Sequence, residues 1–251
     1  MQLKGKHVVL TGGHGGIGSL LATLLKEQGA NLTIIDRQEG EGTLVADLSD
    51  ANSLNQVYNK LAKSEVDILI NLAGIMYFGH TEDQDPDYLS TMMRVNLEAP
   101  IRLCQAVLPS MLKRGSGQIV NIGSVFGALA FPHFSAYSAT KAGLKSFSEA
   151  IRREYSGRGI TVTHIAPRAV KTPLNSGAIA ELHSRTKTAN DSPAKVATLI
   201  TRAIMKEQKN IIIGFPESLF VRINALCPSI IDNALVSKRD IANEILQLQK
   251  R

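Results

Sequence analysis

In the segment Tyr137-Ser-Ala-Thr-Lys141 a phenol and an amine stand four residues apart, and Ser124 precedes the tyrosine by thirteen residues. In a helix beginning near Ala136, positions i and i+4 share one face with their Cβ atoms about 5–6 Å apart. The spacing sets an ammonium beside a phenol. A free tyrosine, with a pKa of about 10, is a poor acid or base at neutral pH, whereas a neighbouring cation favours phenolate and draws that pKa toward the working range. The pair is a candidate acid/base device; a surface helix carrying a solvated lysine is the plain alternative. The choice rests on whether other parts of a site fall where one fold would put them.

The chain alternates strand and helix throughout. Residues 6–11 read as a buried strand, 18–28 as a helix with apolar Leu20, Leu21, Leu24 and Leu25, and Gly29 as its C-terminal stop. Strands are expected at 32–36, 43–46, 66–71, 118–122, 160–165 and 210–213. Helices are expected at 51–62, 87–114, 136–157 and 193–207, with Pro100 kinking or dividing the second of these. Short apolar strands separated by helices argue for an α/β fold: a Rossmann-type, doubly wound, seven-stranded, mostly parallel sheet covered on both faces. One domain is expected over residues 1–215, with 216–251 as its C-terminal helical extension: two amphipathic helices separated at Pro228. Residues 172–191 are polar, turn-rich and poorly periodic, a length that is usually functional inside a compact domain.

The loop Thr11-Gly12-Gly-His-Gly-Gly16-Ile17-Gly18 lies between the first strand and the first helix. In that context glycines allow a tight turn and let backbone N–H groups approach a pyrophosphate, which the helix N-terminus stabilises. Asp36, at the end of the second strand, is placed to accept hydrogen bonds from an adenosine ribose diol and to repel a 2′-phosphate. NAD is therefore the expected cofactor. Arg37, beside that acid, keeps NADP as the alternative.

With these motifs in order, the chain resembles a classical short-chain dehydrogenase/reductase from about residue 4 to residue 215. Thr11-Gly12 with Gly16-Ile17-Gly18 matches the family's TGxxxGxG loop. Asp47, followed by Leu48, matches the aspartate that contacts the adenine. Asn71-Leu-Ala73-Gly74 resembles the NNAG motif with leucine for the second asparagine. Asn96, Ser124, Tyr137 and Lys141 match the four members of the catalytic tetrad. Pro167-Arg-Ala-Val170-Lys-Thr172 resembles the PGxVxT segment that frames the nicotinamide, with Arg168 in place of glycine.

The resemblance implies hydride transfer between nicotinamide and a carbonyl or alcohol carbon. Reduction builds negative charge on the carbonyl oxygen, which needs a hydrogen bond and then a proton. Ser124 would donate the positioning bond and Tyr137 would give or take the proton. Lys141 would depress the tyrosine pKa and bind the nicotinamide ribose, while Asn96 would hold a water linking Lys141 to solvent. Phe126, Phe131, Pro132, Phe134 and the 172–191 segment would border an apolar substrate pocket, with core packing an equal reading of the phenylalanines. Arg168 reads either as a contact for an anionic substrate group or as a contact for the cofactor diphosphate. The C-terminal helices would lid the pocket, pack in a homo-oligomer or rest on a membrane surface. The expected activity is an NAD(P)-dependent interconversion of a secondary alcohol and a ketone or aldehyde on a lipophilic molecule such as a steroid, retinoid or acyl chain. A 3-oxoacyl-[acyl carrier protein] reductase and a dinucleotide-sensing regulator are the alternatives.

Bulk properties are consistent with these classes and remove others. With 251 residues, 44% hydrophobic and 20% charged, the chain is long enough to bury a core without disulfide staples. Cys104 and Cys227 are too few for a disulfide framework, and no His, Asp or Glu cluster has metal-ligand spacing; His14 and His133 read as loop residues. The net charge of +6 divides into 7 basic and 13 acidic residues over 1–100 and 21 basic and 9 acidic over 101–251. The pairs Lys113-Arg114, Arg152-Arg153 and Lys238-Arg239 read as compensation of helix dipoles. Interleaved aromatics and a continuously basic helix are lacking, which argues against nucleic acid. Neither a signal peptide nor a transmembrane span is expected, so a cytoplasmic homo-oligomer is the reading, with peripheral membrane contact through the last helices as a variant.

Overall fold

The computed structural model describes residues 1–249. Among these residues seven strands form a single sheet: β1 (His7–Thr11), β2 (Asn31–Asp36), β3 (Thr43–Val45), β4 (Ile68–Asn71), β5 (Gly117–Ile122), β6 (Ile160–Pro167) and β7 (Asn210–Ile213). Their spatial order is β3-β2-β1-β4-β5-β6-β7, and every adjacent pair is parallel rather than mostly so. The order reverses between β1 and β4, which opens a crevice beyond their carboxyl ends.

Side-chain parity explains why both faces are covered. Val8, Leu10, Ile68 and Ile70 face a layer formed by helices α1 (Gly18–Glu27) and α7 (Pro193–Met205). Val9 and Leu69 face the opposite layer, formed by α2 (Ala51–Ala62), α4 (Ala99–Arg114) and the Ile151 end of α5 (Ser135–Glu154). Strands buried on both sides are apolar at most positions, the pattern the sequence carries, and the polar exceptions in β5 and β6, Gln118, Asn121, Thr163 and His164, are themselves buried. Helix starts are fixed locally: the Asp50 side chain accepts the Ser53 N–H at 2.7 Å, and Ser192 accepts the Lys195 N–H ahead of Pro193.

The helix expected over 87–114 is divided. α3 (Pro86–Met93) passes into a π turn at Arg94–Glu98 before α4 begins. Pro100 has no N–H to give the carbonyl of Asn96, four residues earlier, so the regular ladder cannot run through this point. The 172–191 segment is also more regular than its sequence suggests. A short 3-10 turn, Pro173–Asn175, precedes α6 (Ala178–Arg185), whose Leu182 is buried against Ala242 and Ile245. Those two residues belong to α9 (Pro228–Gln249), which follows α8 (Glu217–Leu226), so the expected break at Pro228 is present. Lys113-Arg114 and Arg152-Arg153 do close their helices. Lys238-Arg239 instead lies in the middle of α9, where no helix terminus needs compensation. Among the described residues, no helix is long and apolar enough to cross a membrane.

Candidate active site

Two cavities meet beyond the carboxyl ends of the strands. The first, of about 500 Å³, runs along Gly12, Gly16, Ile17 and Gly18 to Asp36, Arg37, Asp47 and Leu48. The second, of about 450 Å³, is bordered by Ser124, Tyr137 and Lys141 together with Pro167 and Val170. Ile17, Leu72, Gly74, Thr172 and Leu174 line both, so the two are continuous.

The glycine loop is tight by necessity. A Cβ on Gly18 would stand 2.0 Å from the Gly12 carbonyl oxygen, so only glycine closes this turn onto the start of α1. Thr11 and Asn71 do not line the groove. The Thr11 hydroxyl accepts the N–H groups of Leu72 and Ala73 at 3.0 and 3.1 Å, holding Ala73 and Gly74 against the loop. The buried Asn71 amide donates to Asn121 at 2.8 Å. Asp36 accepts the His14 N–H at 3.0 Å and the Gln38 N–H at 3.2 Å, retains further acceptor capacity, and lines the groove beside Arg37. Burial alone would raise the Asp47 pKa, but hydrogen bonds from the Ser49 hydroxyl and amide at 2.6 and 2.8 Å outweigh it and hold the carboxyl below its ordinary range. A glycine cradle at a helix start, in a groove that also reaches the Asp36 carboxyl, fits a dinucleotide.

The second cavity brings the polar residues together. Ser124 ends the extended stretch after β5, and its Oγ accepts the Phe126 N–H at 3.1 Å. Tyr137 and Lys141 lie one turn apart on α5, 7% and 4% exposed. The Lys141 ammonium donates to the Ile122 carbonyl at 3.1 Å and sits 5.8 Å from the centre of the Tyr137 ring. Asn96, turned inward by the π turn, accepts the Ile75 N–H at 2.9 Å and donates to the Ile75 carbonyl at 2.8 Å. It also donates to Thr140 at 3.1 Å, whose hydroxyl in turn donates to the Tyr137 carbonyl at 2.7 Å. A Cβ on Gly74 would lie 3.3 Å from the Asn96 oxygen and 3.4 Å from the Lys141 nitrogen, which places glycine between these two groups.

The electrostatics correct one expectation. The sequence argues that Lys141 lowers the Tyr137 pKa, yet burial pushes Tyr137 up to about 12, with a hydrogen bond from Ser124 pulling partly back. Burial also pushes Lys141 down to about 8. Desolvation is the largest cause for both groups, and only Tyr137 has a hydrogen bond that offsets part of it.

Arg168 is likewise reassigned. Its Nε and Nη2 donate to Asp191 at 2.8 and 3.1 Å, and its Nη1 donates to Glu217 and to the Phe215 carbonyl, both at 3.1 Å. The guanidinium joins the end of β6 to the starts of α7 and α8, and four of its five N–H donors are taken up by the protein. Phe126, Phe131 and Phe134 line the cavity, whereas Pro132 does not. Thr140, His183 and Lys238 were not singled out from sequence as site residues; for the last, the inward spacing of α9 was the signal available.

The comparisons with known proteins agree with this geometry. The family model described as "short chain dehydrogenase" matches residues 6–182. A "Dehydrogenase/reductase SDR family member 7B" of Xenopus tropicalis is 32% identical over 89% of this chain and 82% of its own length. The protein of the same name from Danio rerio is 27% identical over 94% of this chain and 86% of its own. Among solved structures, a short-chain dehydrogenase from Sphingobium yanoikuyae in complex with NADPH superposes with a TM-score of 0.77, is 26% identical, and covers 92% of this chain and 95% of that one. The chain belongs to the short-chain dehydrogenase family and is an oxidoreductase of that family.

Proposed function

We propose that this chain is an NAD(P)-dependent oxidoreductase that interconverts a secondary alcohol and a ketone or aldehyde on a lipophilic molecule. The observation that carries the reading is the convergence of Ser124, Tyr137 and Lys141 on an apolar cavity continuous with the glycine-loop groove. Gly12, Gly16, Gly18, Asp36, Asp47 and Leu48 would hold the dinucleotide, and Lys141 its nicotinamide ribose. When bound, the nicotinamide supplies or accepts the hydride. Ser124 donates a hydrogen bond to the substrate oxygen, and Tyr137 gives or receives the proton at that same oxygen. The Lys141 ammonium favours negative charge there. Asn96 is a positioning residue, since it holds the Ile75 backbone beside Gly74 and reaches the Tyr137 turn through Thr140.

A dinucleotide sensor would have no use for a buried phenol aimed into an apolar cavity. Asp36 favours NAD(H), whereas the NADPH bound by the Sphingobium relative supports NADP(H), so both cofactors belong in the test. Residues 1–215 act in this reading as one catalytic domain and 216–251 as its extension. The exposed Leu219, Leu226 and Ile230 supply an apolar face for assembly with a second copy.

The decisive experiment is Tyr137→Phe in a screen of alcohols and ketones followed by reduced-cofactor absorbance. Turnover falls by about 100-fold or more, while NADH binding, measured by fluorescence titration beside NADPH, is unchanged and is the tighter of the two. Turnover at the parent rate refutes the assigned acid, and tighter NADPH binding refutes the role given to Asp36.

A further inference from the structure

The inner side of α9 has one residue that does not belong to an apolar stripe. Ile231, Leu235, Lys238, Ala242 and Ile245 recur at alternating steps of four and three, the spacing that keeps one helix face inward. Ile231, Ala242 and Ile245 are buried, and Ile231 and Leu235 line the cavity beside Tyr137. Lys238 lines the same cavity. A helix that needed only to cover apolar surface would carry leucine or alanine at this position.

The path from the reactive phenol to this ammonium is continuous. The Tyr137 ring meets Phe126 edge-on at 6.3 Å, Phe126 stacks on Phe131 at 5.4 Å, and the Lys238 Nζ lies 6.0 Å from the Phe131 centre. The chain between is aromatic, and the charge stands at its far end.

The other charged groups on the cavity wall are already engaged. Lys141 donates to Ile122, and Arg168 is matched by Asp191 and Glu217. Burial lowers the pKa of His183, which keeps that imidazole neutral at physiological pH. Among the described residues Lys238 has no carboxylate within 4.0 Å, and its neighbour Asp240 is paired with Arg239. Along that chain of ring contacts from the phenol, the cavity wall therefore carries an ammonium with no carboxylate partner, free to make a charge-assisted hydrogen bond.

We propose that the cavity selects amphiphilic substrates, with the carbonyl or alcohol at Tyr137, an apolar body along Phe126 and Phe131, and a terminal oxyanion held by Lys238. This rests on the oxidoreductase reading and names its substrate class. Carboxylate and phosphate present the same acceptor oxygens to an ammonium, so the test carries both.

The test measures binding by calorimetry, with NAD present, of decanoate, decyl phosphate and decan-1-ol to the parent, Lys238→Gln and Lys238→Arg. At least one anion binds the parent about ten-fold tighter than the alcohol, which corresponds to about 1.4 kcal/mol. Lys238→Gln removes that preference and leaves the alcohol's affinity as it was, and Lys238→Arg keeps the preference. The anion that binds tighter identifies the headgroup. Equal binding of alcohol and both anions, no measurable binding of either anion, or a preference that survives Lys238→Gln would each overturn the proposal. Tyr137→Phe keeps the anion preference, so loss of turnover and loss of headgroup recognition report on the two readings separately.

Discussion

Lys141→Met removes a charge that the fold holds against its own stability. The side chain is 4% exposed, and burial lowers its pKa from 10.5 to about 8. At about 1.4 kcal/mol per tenfold change, that difference amounts to about 3 kcal/mol of penalty for keeping the ammonium inside the folded chain. Below the folded pKa both states bind the proton, so the full penalty applies at neutral pH. Between about 8 and 10.5 the unfolded chain holds the proton and the folded chain does not, so stability rises with pH across that window. Tyr137 acts in the opposite sense. Its pKa is raised from 10.0 to about 12, so the stability it carries is complete below the unfolded value and is lost as pH rises through the folded one. Methionine fills a similar volume without charge, but it leaves the Ile122 carbonyl without its donor, a loss of about 1 kcal/mol. The expected result is an apo variant about 2 kcal/mol more stable than the parent at neutral pH, without the rise toward about pH 10 and without turnover. Urea unfolding followed by circular dichroism at neutral and alkaline pH measures both. A variant that unfolds at lower urea than the parent at neutral pH, or that keeps the alkaline rise, refutes the assignment of this penalty to Lys141.

Two further outcomes test the scaffold around the cavity. Arg168→Met leaves the 4%-exposed Asp191 with Lys195 as its remaining ion-pair partner. A loss of about 2–3 kcal/mol is expected, below the full cost of breaking a buried pair. The Arg168 hydrogen bonds are the main reason that Asp191 titrates below its ordinary range, so the parent keeps this contribution until pH falls through that lowered value, and the variant unfolds at a higher pH during acid titration. An unchanged acid midpoint would show that Lys195 alone holds the carboxylate. The thiols offer the second test: Cys104 is fully buried with its pKa pushed up to about 12, whereas Cys227 is exposed. A disulfide reagent should titrate one thiol in the native protein and both in urea, and a native count of two would contradict the packing of α4 against β4.

The sheet was legible because parallel strands buried on both faces are near-continuous apolar runs, a signal that survives in short segments such as Ile68-Leu-Ile70 of β4. The glycine loop was legible for a related reason, since its residues are fixed by backbone geometry and not by distant partners. What the sequence hid depends on tertiary contacts. α6 has eight residues, and its burial comes from α9, some sixty positions further along the chain. Lys238 reads as half of a surface basic pair until α9 is folded over the cavity and the helix acquires an inner side. Arg168 stands where the family motif has glycine, and nothing nearby in sequence announces Asp191 and Glu217 as its partners.

The sign of the Tyr137 shift is the most consequential of these, because it bears on which direction of the chemistry the chain's own residues favour. Spacing alone reports that a cation is near a phenol, and Coulomb's law then argues for an easier phenolate. Burial adds a larger effect of opposite sign, and it acts on both partners at once, holding the phenol's proton more tightly while weakening the cation that would release it. At neutral pH the site therefore presents a protonated phenol and an ammonium. That is the state ready to donate to an oxygen gaining negative charge, as in carbonyl reduction. Oxidation of an alcohol asks for phenolate, and among these residues the group that could favour it is Lys141, whose own charge fades above about pH 8. Under the proposed chemistry, the burial of Tyr137 in α5 keeps the proton on the phenol, where carbonyl reduction would draw on it.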